Sequence, residues 1–381
     1  MVNIIKRFCR RNTYLNDWLY RHYRPGIEKV VKKTAEECAQ IRALDNIDGL
    51  LTYKNHITED GLPFWSYDLN ATESRMYGIH SSLFKFITDR NIYFPSTEHG
   101  LILHNSNWSD TRDTSRASCI TLGPFRKNIL RRYYSTPIFC VGPYIAYASP
   151  ILSVEEFTKE KAILGKNLLV FPTHGTDDAD ISYSSSCFIK KLHKLAADYN
   201  SVSVCCYWWN LDDPLISILK KEGYNILCAG YREDPLFLSR LRSIIELSDF
   251  VIGDNVGTHI GYCLNLNKPF SLFRSNTKKV ERTDLGTDDS MFVQKHTHII
   301  EEAFINASSI TPEQISIYND YWGGHCIKTP KEISSIYEIN KEITLKCRGD
   351  IQKYPTMSFH LLKKYSQTDP VKFQLLKEAL S

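Results

Sequence analysis

The segment Ser248-Asp-Phe-Val-Ile-Gly-Asp-Asn-Val-Gly-Thr-His-Ile-Gly-Tyr-Cys-Leu-Asn-Leu-Asn-Lys-Pro269 decides the fold of this chain. Its pattern predicts a short apolar strand over 250–252, a turn of Gly, Asp and Asn, and a helix that begins at Gly257-Thr258. A turn from strand to helix directs unpaired backbone N–H groups at one point, where they can hold a phosphate. In a parallel α/β sheet this point lies at the carboxyl edge of the strands, where ligands usually bind. The segment therefore predicts a nucleotide or a phosphorylated donor as the ligand.

The same segment belongs to a run of alternating strands and helices. Strands are predicted at 167–172, 202–209, 225–230, 250–252 and from 269 onward, and helices at 186–199, 214–222, 235–247 and from 258 onward. Short apolar strands separated by helices of about ten to fifteen residues indicate a parallel sheet covered on both faces. We therefore predict a Rossmann-like, donor-binding domain over 153–310.

The first half of the chain predicts a second α/β unit. Its pattern indicates helices at 27–42 and 82–89, strands at 92–94, 101–103, 119–122 and 137–142, and a linker over 150–160. The predicted fold class is α/β, with two Rossmann-like domains that face a cleft and with C-terminal helices. We expect an acceptor-side domain with a basic N-terminal helix over 1–152, and a helical tail over 311–381 that packs back on it.

Composition limits the classes of function. A chain of 381 residues suits two domains of roughly 150–200 residues each. The net charge of +4 is too small to indicate a nucleic acid partner, and no apolar run approaches the roughly 18 residues of a membrane span. The eleven cysteines are scattered and form no CxxC pair, which is typical of reduced thiols in the cytoplasm. We therefore expect a cytoplasmic protein that does not bind nucleic acid.

Basic residues crowd the start of the chain, where apolar and aromatic residues are interleaved with them. This pattern predicts either a surface that rests on anionic lipid or a solvated helix packed on the body of the protein. The basic residues are Lys6, Arg7, Arg10, Arg11, Arg21, Arg24, Lys29, Lys32 and Lys33.

Candidate donor-binding residues follow the first and third strands of the 153–310 region. Thr173, His174 and Gly175 suit hydrogen bonding to a donor sugar or diphosphate, although a capped turn is the alternative. Tyr231 could stack on a base. Asp234 is a second candidate for the donor, or an N-cap before Pro235 with a purely structural role.

The turn in the opening segment supplies four more donor-binding candidates. They are Asn255, Gly257, which permits close backbone approach, Thr258, which offers a hydroxyl and an N–H, and His259, which adds a donor or, if protonated, a charge. The alternative is an ordinary helix cap with a partly buried histidine.

The first half contributes the candidate catalytic residues. Glu98 and His99 stand together ahead of Gly100 at a predicted strand exit, and either side chain could take the proton from a sugar hydroxyl. The alternative is a turn stabilised by Glu98. Arg126 and Lys127 are candidates for holding an anionic acceptor or a donor phosphate, although turn chemistry alone accounts for the Gly-Pro pair before them.

Several other site classes are disfavoured. No recognised metal-ligand spacing occurs, and Asp178-Ala-Asp180 has the letters of a metal-binding motif but stands in the second predicted domain. The sequence contains no GxGxxG, GxxxxGK[ST] or GxSxG motif. We therefore expect neither a metal nor a cofactor, with the activated donor itself as substrate.

Three of these segments together resemble the bacterial surface-polysaccharide glycosyltransferases of the GT-B type, in particular the CDP-glycerol transferase-like group. Glu98-His99-Gly100 looks like the His-Gly element of that group, with Glu98 in place of the usual Trp. Leu168-Leu-Val-Phe-Pro-Thr-His174 is similar to its first C-terminal strand and donor loop, and the opening segment is similar to its donor-phosphate segment.

The resemblance implies a metal-independent enzyme of capsule, O-antigen or teichoic-acid type biosynthesis. It would move a sugar from a nucleotide- or diphosphate-activated donor to a lipid-linked or growing glycan at the inner membrane face, where it would be peripheral. Three alternatives remain open at this point: a polyol-phosphate transferase of the CDP-glycerol type, an isomerase resembling UDP-sugar 2-epimerases, and a non-catalytic scaffold.

Overall fold

The computed structural model describes residues 11–23, 33, 36–37, 40–41, 43–49, 76–85, 87, 93–106, 116–174, 179–182, 185–232, 234–273, 278–281 and 287–381. Most of the basic N-terminal segment and of the predicted helix over 27–42 lies outside these residues. The described part of the chain has an α/β fold with two parallel sheets, one antiparallel strand pair and a group of C-terminal helices. Among its helices, none combines the length and the apolar character that a membrane span requires.

The first half forms a small parallel sheet. Helices α1 (Thr13–Tyr23) and α2 (Ile79–Leu83) precede three strands, β1 (Ser96–Thr97), β2 (Cys119–Thr121) and β3 (Ile138–Cys140), which pair in that order. Helix α3 (Pro124–Leu130) connects β2 to β3. The strands predicted at 119–122 and 137–142 are confirmed in shorter form.

Three predictions for the first half are wrong. The strand expected at 92–94 is replaced by β1, and the segment 101–103 is irregular. The helix expected at 82–89 runs instead over Ile79–Leu83. It begins there because Tyr77 and Gly78 both adopt left-handed backbone conformations, with φ of 58° and 68°, which end the preceding turn.

The described residues of the second half form a five-stranded sheet in which every pair is parallel. Its strands are β4 (Asn167–Phe171), β6 (Ser201–Cys205), β7 (Asn225–Leu227), β8 (Phe250–Gly253) and β9 (Phe270–Leu272), in the spatial order β7-β6-β4-β8-β9. The remaining strands, β5 (Ala179–Ser182) and β10 (Lys278–Glu281), pair antiparallel with each other. Because the chain proceeds to one side of β4 and later returns to its other side, the strand order reverses between β4 and β8. The predicted alternation of parallel strands and helices is confirmed.

Six helices accompany this sheet in the part of the chain that the structure describes: α4 (Val154–Leu164), α5 (Ser185–Ala196), α6 (Pro214–Lys221), α7 (Phe237–Glu246), α8 (Thr258–Asn265) and α9 (Thr287–Phe304). Helix α4 occupies most of the segment that was predicted as a linker over 150–160. A capping box begins it, because the Ser153 hydroxyl accepts from the Glu156 N–H at 3.2 Å and the Glu156 carboxylate accepts from the Ser153 N–H at 2.7 Å.

Strand β4 shows how the sheet is held between two apolar layers. Leu169 packs in one core with Val251, while Leu168 and Val170 pack in a second core with Phe188. Successive side chains of a strand point to opposite faces, so both faces of the sheet are covered. Each such fully buried aliphatic side chain contributes about 1.5–3 kcal/mol to folding.

The C-terminal helices contact both halves of the protein. They are α10 (Pro312–Ile317), α11 (Pro330–Lys346), α12 (Tyr354–Thr368) and α13 (Pro370–Leu380), with a π-helical turn over Tyr318–Trp322 after α10. Helix α13 packs against β3 of the first sheet. The Trp322 ring lies against Gly261 of α8, which carries no side chain to displace it.

Candidate functional site

A cavity of about 290 Å³ opens at the carboxyl ends of β4, β6, β7 and β8. It lies where the strand order reverses, which is the position at which open α/β sheets bind their ligands. Residues from the second half that line it are Phe171, Pro172, His174, Cys205, Cys206, Tyr207, Trp208, Ala229, Phe237, Leu241, Asn255, Gly257, Thr258, His259 and Tyr262.

The first half closes the cavity with Tyr77, His99 and Leu101. The Tyr77 ring meets the edge of Phe237 with centroids 4.8 Å apart, and its centroid lies 5.9 Å from that of His99. His99 therefore faces the loops of the second sheet across the cavity, which is where the sequence predicted a catalytic residue to act.

Helix α8 begins at the cavity wall. Gly257 is its extended N-cap residue, and within the described part of the chain no side chain caps the helix. Its first N–H groups are among those that a helix leaves without an internal partner. The Thr258 hydroxyl oxygen accepts a hydrogen bond of 2.9 Å from the Leu101 N–H, so α8 also contacts the first half directly.

Thr173 and Asp254 connect the loops after β4 and β8. The Asp254 carboxylate accepts from both the N–H and the hydroxyl of Thr173. Thr173 is buried beneath the cavity rather than on its wall. Its position fixes the neighbouring His174, whose ring stacks on that of Tyr207 with centroids 4.2 Å apart and planes 25° apart.

His259 lies in an apolar environment between Phe171 and Phe270, with centroid distances of 5.0 and 5.4 Å. Its Nε2 atom is buried and has no hydrogen-bond partner among the residues that the structure describes. Burial, with a smaller effect of nearby His174, lowers the pKa of His259 to about 3. The ring is therefore neutral near pH 7. Of the two possibilities that the sequence analysis gave for His259, a hydrogen-bonding atom or a positive charge, the structure favours the first.

Glu98 differs in position from its neighbour His99. Its side chain is fully buried, where it accepts from Thr121 Oγ1 and from Arg126 Nε at 2.7 Å each. The Tyr144 hydroxyl also donates to the Glu98 carbonyl oxygen at 2.6 Å. Because the carboxylate faces these internal partners and not the cavity, the structure favours the alternative in which Glu98 stabilises its turn.

Arg126 and Lys127 also have internal roles in place of the expected ligand contact. The Arg126 guanidinium pairs with Glu98 and donates to the carbonyl oxygens of His104 and Ser106 at 2.9 and 2.7 Å. Lys127 extends the other way and donates to the Glu378 carbonyl oxygen in α13. Both cations therefore hold segments of the protein together.

Tyr231 and Asp234 are buried away from the cavity wall. The Tyr231 ring packs against the Trp208 ring, with their centroids 4.5 Å apart and their planes nearly perpendicular. Asp234 accepts from the Leu236 N–H at 2.8 Å and forms a buried ion pair with Arg240, so its contacts are internal to the protein. It is not the predicted N-cap, because α7 begins at Phe237 with Leu236 as its N-cap residue. Burial raises the pKa of Asp234, against the opposing effect of Arg240. Arg240 itself is completely buried.

The cavity thus collects six of the predicted site residues and several that the sequence analysis missed. The six are His99, His174, Asn255, Gly257, Thr258 and His259. Gly175 lies outside the described residues. Tyr207 and Trp208 could have been found, because they follow β6 at the same sheet edge as the predicted loops. Tyr77 could not have been found in this way. It has a left-handed backbone conformation, which its residue type does not predict.

Aromatic and aliphatic side chains together with three histidines make up most of the described lining. Within the described lining there is no Lys, Arg, Asp or Glu side chain. No group of three or more His, Cys, Asp or Glu side chains suited to a metal ion occurs among the described residues. An anionic ligand in this cavity would consequently be held by backbone N–H groups at the start of α8, by the Thr258 hydroxyl and by histidine side chains.

Comparisons with known proteins give only remote matches. No protein-family profile matches the chain, and a comparison with curated proteins finds no significant match. Among solved structures, a UDP-GlcNAc 2-epimerase from Neisseria meningitidis bound to UDP-GlcNAc is 14% identical, with 79% of this chain and 81% of that one aligned and a TM-score of 0.37.

Two further solved structures are similar to the same degree. The wall teichoic acid polymerase TagF is 14% identical over 68% of this chain and 70% of its own, with a TM-score of 0.38. Staphylococcus aureus MnaA with UDP is 14% identical over 69% and 72%, with a TM-score of 0.36. The α/β class stated above follows from the two parallel sheets of the chain itself.

Proposed function

We propose that this protein is a glycosyltransferase that moves a sugar from a nucleotide- or diphosphate-activated donor to a hydroxyl of a glycan acceptor. The observation that carries the proposal is the cavity at the strand-order reversal, with the start of α8 on one side and His99 on the other. This arrangement supplies a site for an anionic leaving group opposite a side chain that can accept a proton.

The donor would lie along the edge of the second sheet. Its diphosphate would meet the N–H groups of Gly257 and Thr258, where the partial positive charge of a helix start favours an anion. Tyr207, stacked on His174, offers an aromatic face to a planar group of the donor. The remaining aromatic lining would exclude water from the reacting atoms, which reduces hydrolysis of the donor.

His99 would act as the general base. The acceptor oxygen forms a bond to the anomeric carbon of the donor sugar while its proton passes to the imidazole of His99. The bond from that carbon to the phosphate oxygen breaks, and its electron pair stays on the departing phosphate. The N–H groups at the start of α8 would stabilise that charge, so the proposed reaction requires no metal ion.

The resemblance noted in the sequence supports a place in cell-surface polysaccharide biosynthesis, with a lipid-linked or growing glycan as acceptor. The basic residues at the start of the chain support a peripheral position on an anionic membrane surface. Sedimentation with vesicles that contain anionic lipid, compared with neutral vesicles, tests this position.

A ligand screen followed by a turnover assay tests the enzyme function. Thermal unfolding would be followed with UDP, CDP, GDP, dTDP and CMP, and a ligand present at a hundredfold excess over its Kd should stabilise the protein by about 2.7 kcal/mol. The sugar or glycerol derivative of the best ligand would then be incubated with the protein and an oligosaccharide acceptor in EDTA and followed by NMR. Release of nucleotide with a new glycosidic bond is the expected result.

Other products identify the alternatives. Transfer of a phosphorylated polyol indicates the CDP-glycerol type, and a C2 epimer of the donor sugar indicates an isomerase. Absence of any stabilising ligand would contradict the proposal. As controls, His99→Asn should abolish turnover while nucleotide binding persists, whereas His360→Gln, on an exposed helix face, should alter neither.

A further inference from the structure

The turn that carries His99 is held from the opposite side of the cavity. Leu101 donates its backbone N–H to the Thr258 hydroxyl oxygen at 2.9 Å, although the two residues are 157 positions apart. His99, Leu101 and Thr258 all line the cavity. The orientation of the predicted base therefore depends on a residue of the second half.

The fit of this turn against α8 is close. A Cβ atom on Gly100 would lie 2.4 Å from the Thr258 hydroxyl oxygen, which is far inside van der Waals contact. Only a glycine at position 100 lets the chain approach Thr258 this nearly. A hydrogen bond and a steric requirement thus fix the same three residues, 99–101, against the start of α8.

The Thr258 hydroxyl can still donate a hydrogen bond to a ligand in the cavity. A threonine hydroxyl has one donor hydrogen and two acceptor lone pairs, and the contact with Leu101 uses only a lone pair. Among the described residues no group accepts the hydroxyl hydrogen. The hydrogen is therefore available to an acceptor atom of a ligand, and a hydroxyl that donates in this way accepts more strongly from its other partner.

We propose that Thr258 is a positioning residue that fixes His99 across the cavity through Leu101, and that an anionic oxygen of a bound diphosphate strengthens this contact. The role of His99 as base rests on the proposed function. The positioning by Thr258 does not, because it can be measured on the free protein.

The test compares Thr258→Val, which removes the hydroxyl at nearly constant shape, with Thr258→Ser, which keeps it. Hydrogen exchange of the Leu101 amide and the imidazole signals of His99 would be followed by NMR on the free protein. Loss of one hydrogen bond should make the Leu101 amide exchange about fivefold faster in Thr258→Val and shift the His99 signals. Thr258→Ser should match the wild type in both measurements.

Two internal references separate positioning from general destabilisation. The Val141 amide, which donates to Thr121 within the first sheet, should exchange at the wild-type rate in both variants. Thr158→Val, which removes an exposed hydroxyl in α4, should leave Leu101 and His99 unchanged. Wild-type exchange at Leu101 and unshifted His99 signals in Thr258→Val would overturn the positioning role.

The proposed strengthening of the contact by a bound diphosphate is tested separately. Saturating inorganic pyrophosphate, or the best nucleoside diphosphate of the screen, should slow Leu101 exchange in the wild type and in Thr258→Ser but not in Thr258→Val. Equal slowing in all three proteins would overturn the coupling through Thr258. If no nucleotide binds and pyrophosphate leaves Leu101 exchange unchanged while the free-protein result holds, the proposed function and the coupling fail and the positioning role stands.

Discussion

The carboxylate of Asp254 accepts two hydrogen bonds from Thr173, one from its backbone N–H and one from its hydroxyl, each 2.5 Å long. Asp254 follows β8 and Thr173 follows β4, so this contact joins the two loops at the strand-order reversal. Both loops then continue into the cavity wall, to Asn255 and to His174. The shape of the cavity consequently depends on a carboxylate that does not itself line it.

Asp254→Ala should weaken both the fold and ligand binding. Removing the carboxylate leaves the Thr173 N–H and hydroxyl without their acceptor, which costs about 1–3 kcal/mol, and it frees the loop that carries His174. We expect a decrease in Tm and a Kd for the nucleoside diphosphate at least about tenfold higher by calorimetry. Asp198→Ala, at an exposed position, is the matched control. Equal affinity in the two variants would show that the contact does not shape the site.

Glu98→Ala should act on stability. It leaves the buried Arg126 guanidinium without its carboxylate, and removal of one partner from a buried ion pair costs about 3–5 kcal/mol. Urea unfolding monitored by circular dichroism measures this loss. Glu98→Gln keeps the shape and an acceptor oxygen, so a folded Gln variant that turns over donor at a rate near that of the wild type is expected. A folded but inactive Glu98→Gln variant would indicate that Glu98, and not His99 alone, acts as the catalytic base.

His259 should make the protein less stable in mild acid. Its pKa is about 3 in the folded protein against about 6.5 in an unfolded chain, so between these values only the unfolded chain takes up the proton. Stability is therefore lost as the pH falls through this window, by about 1–2 kcal/mol between pH 7 and pH 5. Urea midpoints measured across this range should decline less steeply in His259→Phe than in the wild type.

The control for this pH dependence is His360→Gln, because His360 lies on an exposed helix face. Its slope of stability against pH should equal that of the wild type. If His259→Phe shows the wild-type slope as well, the His259 ring is charged in the folded protein or is not the group responsible.

Gly261→Ala should disturb the contact between α8 and the C-terminal region. The added Cβ would lie 2.2 Å from the Trp322 ring, and such overpacking typically costs about 1–3 kcal/mol. Trp322→Leu creates a cavity by itself, but it makes room for the new methyl group. The double variant should therefore lose less stability than the sum of the two single variants, as measured by a double-mutant cycle. Strict additivity would indicate that the two residues do not constrain each other.

The sequence predicted the second sheet better than the first for a physical reason. Strands such as Asn167–Phe171 are buried on both faces and are therefore apolar throughout, which makes them visible as short runs. The run over 202–209 predicts one strand, but the observed strand ends at Cys205 and a 3₁₀ turn follows at Trp208–Asn210. Trp208 is buried in either case, so hydrophobicity alone does not separate the two conformations.

Capping residues in the sequence predict the start of a helix that the pattern of apolar residues does not predict. Ser153 and Glu156 have the spacing of a capping box, and they begin α4 where a linker was predicted. At the site, the expectation that ligands bind at the carboxyl edge of a parallel sheet predicted the lining residues after β4 and β8. It could not separate His99, which faces the cavity, from Glu98, which faces Arg126, because that difference depends on the partners that the fold supplies.

The packing of α13 on β3 has a consequence for how this protein folds as it is made. The edge strand of the first sheet is covered by residues 370–380, more than two hundred positions later in the chain. When the first sheet has been synthesised, α13 has not, so the part of β3 that α13 contacts stays uncovered through translation of the whole second half. Such sequence-distant contacts form slowly, and uncovered strand edges pair readily with other chains. Nascent chains halted before residue 370 should consequently require chaperones more than chains that include α13 do.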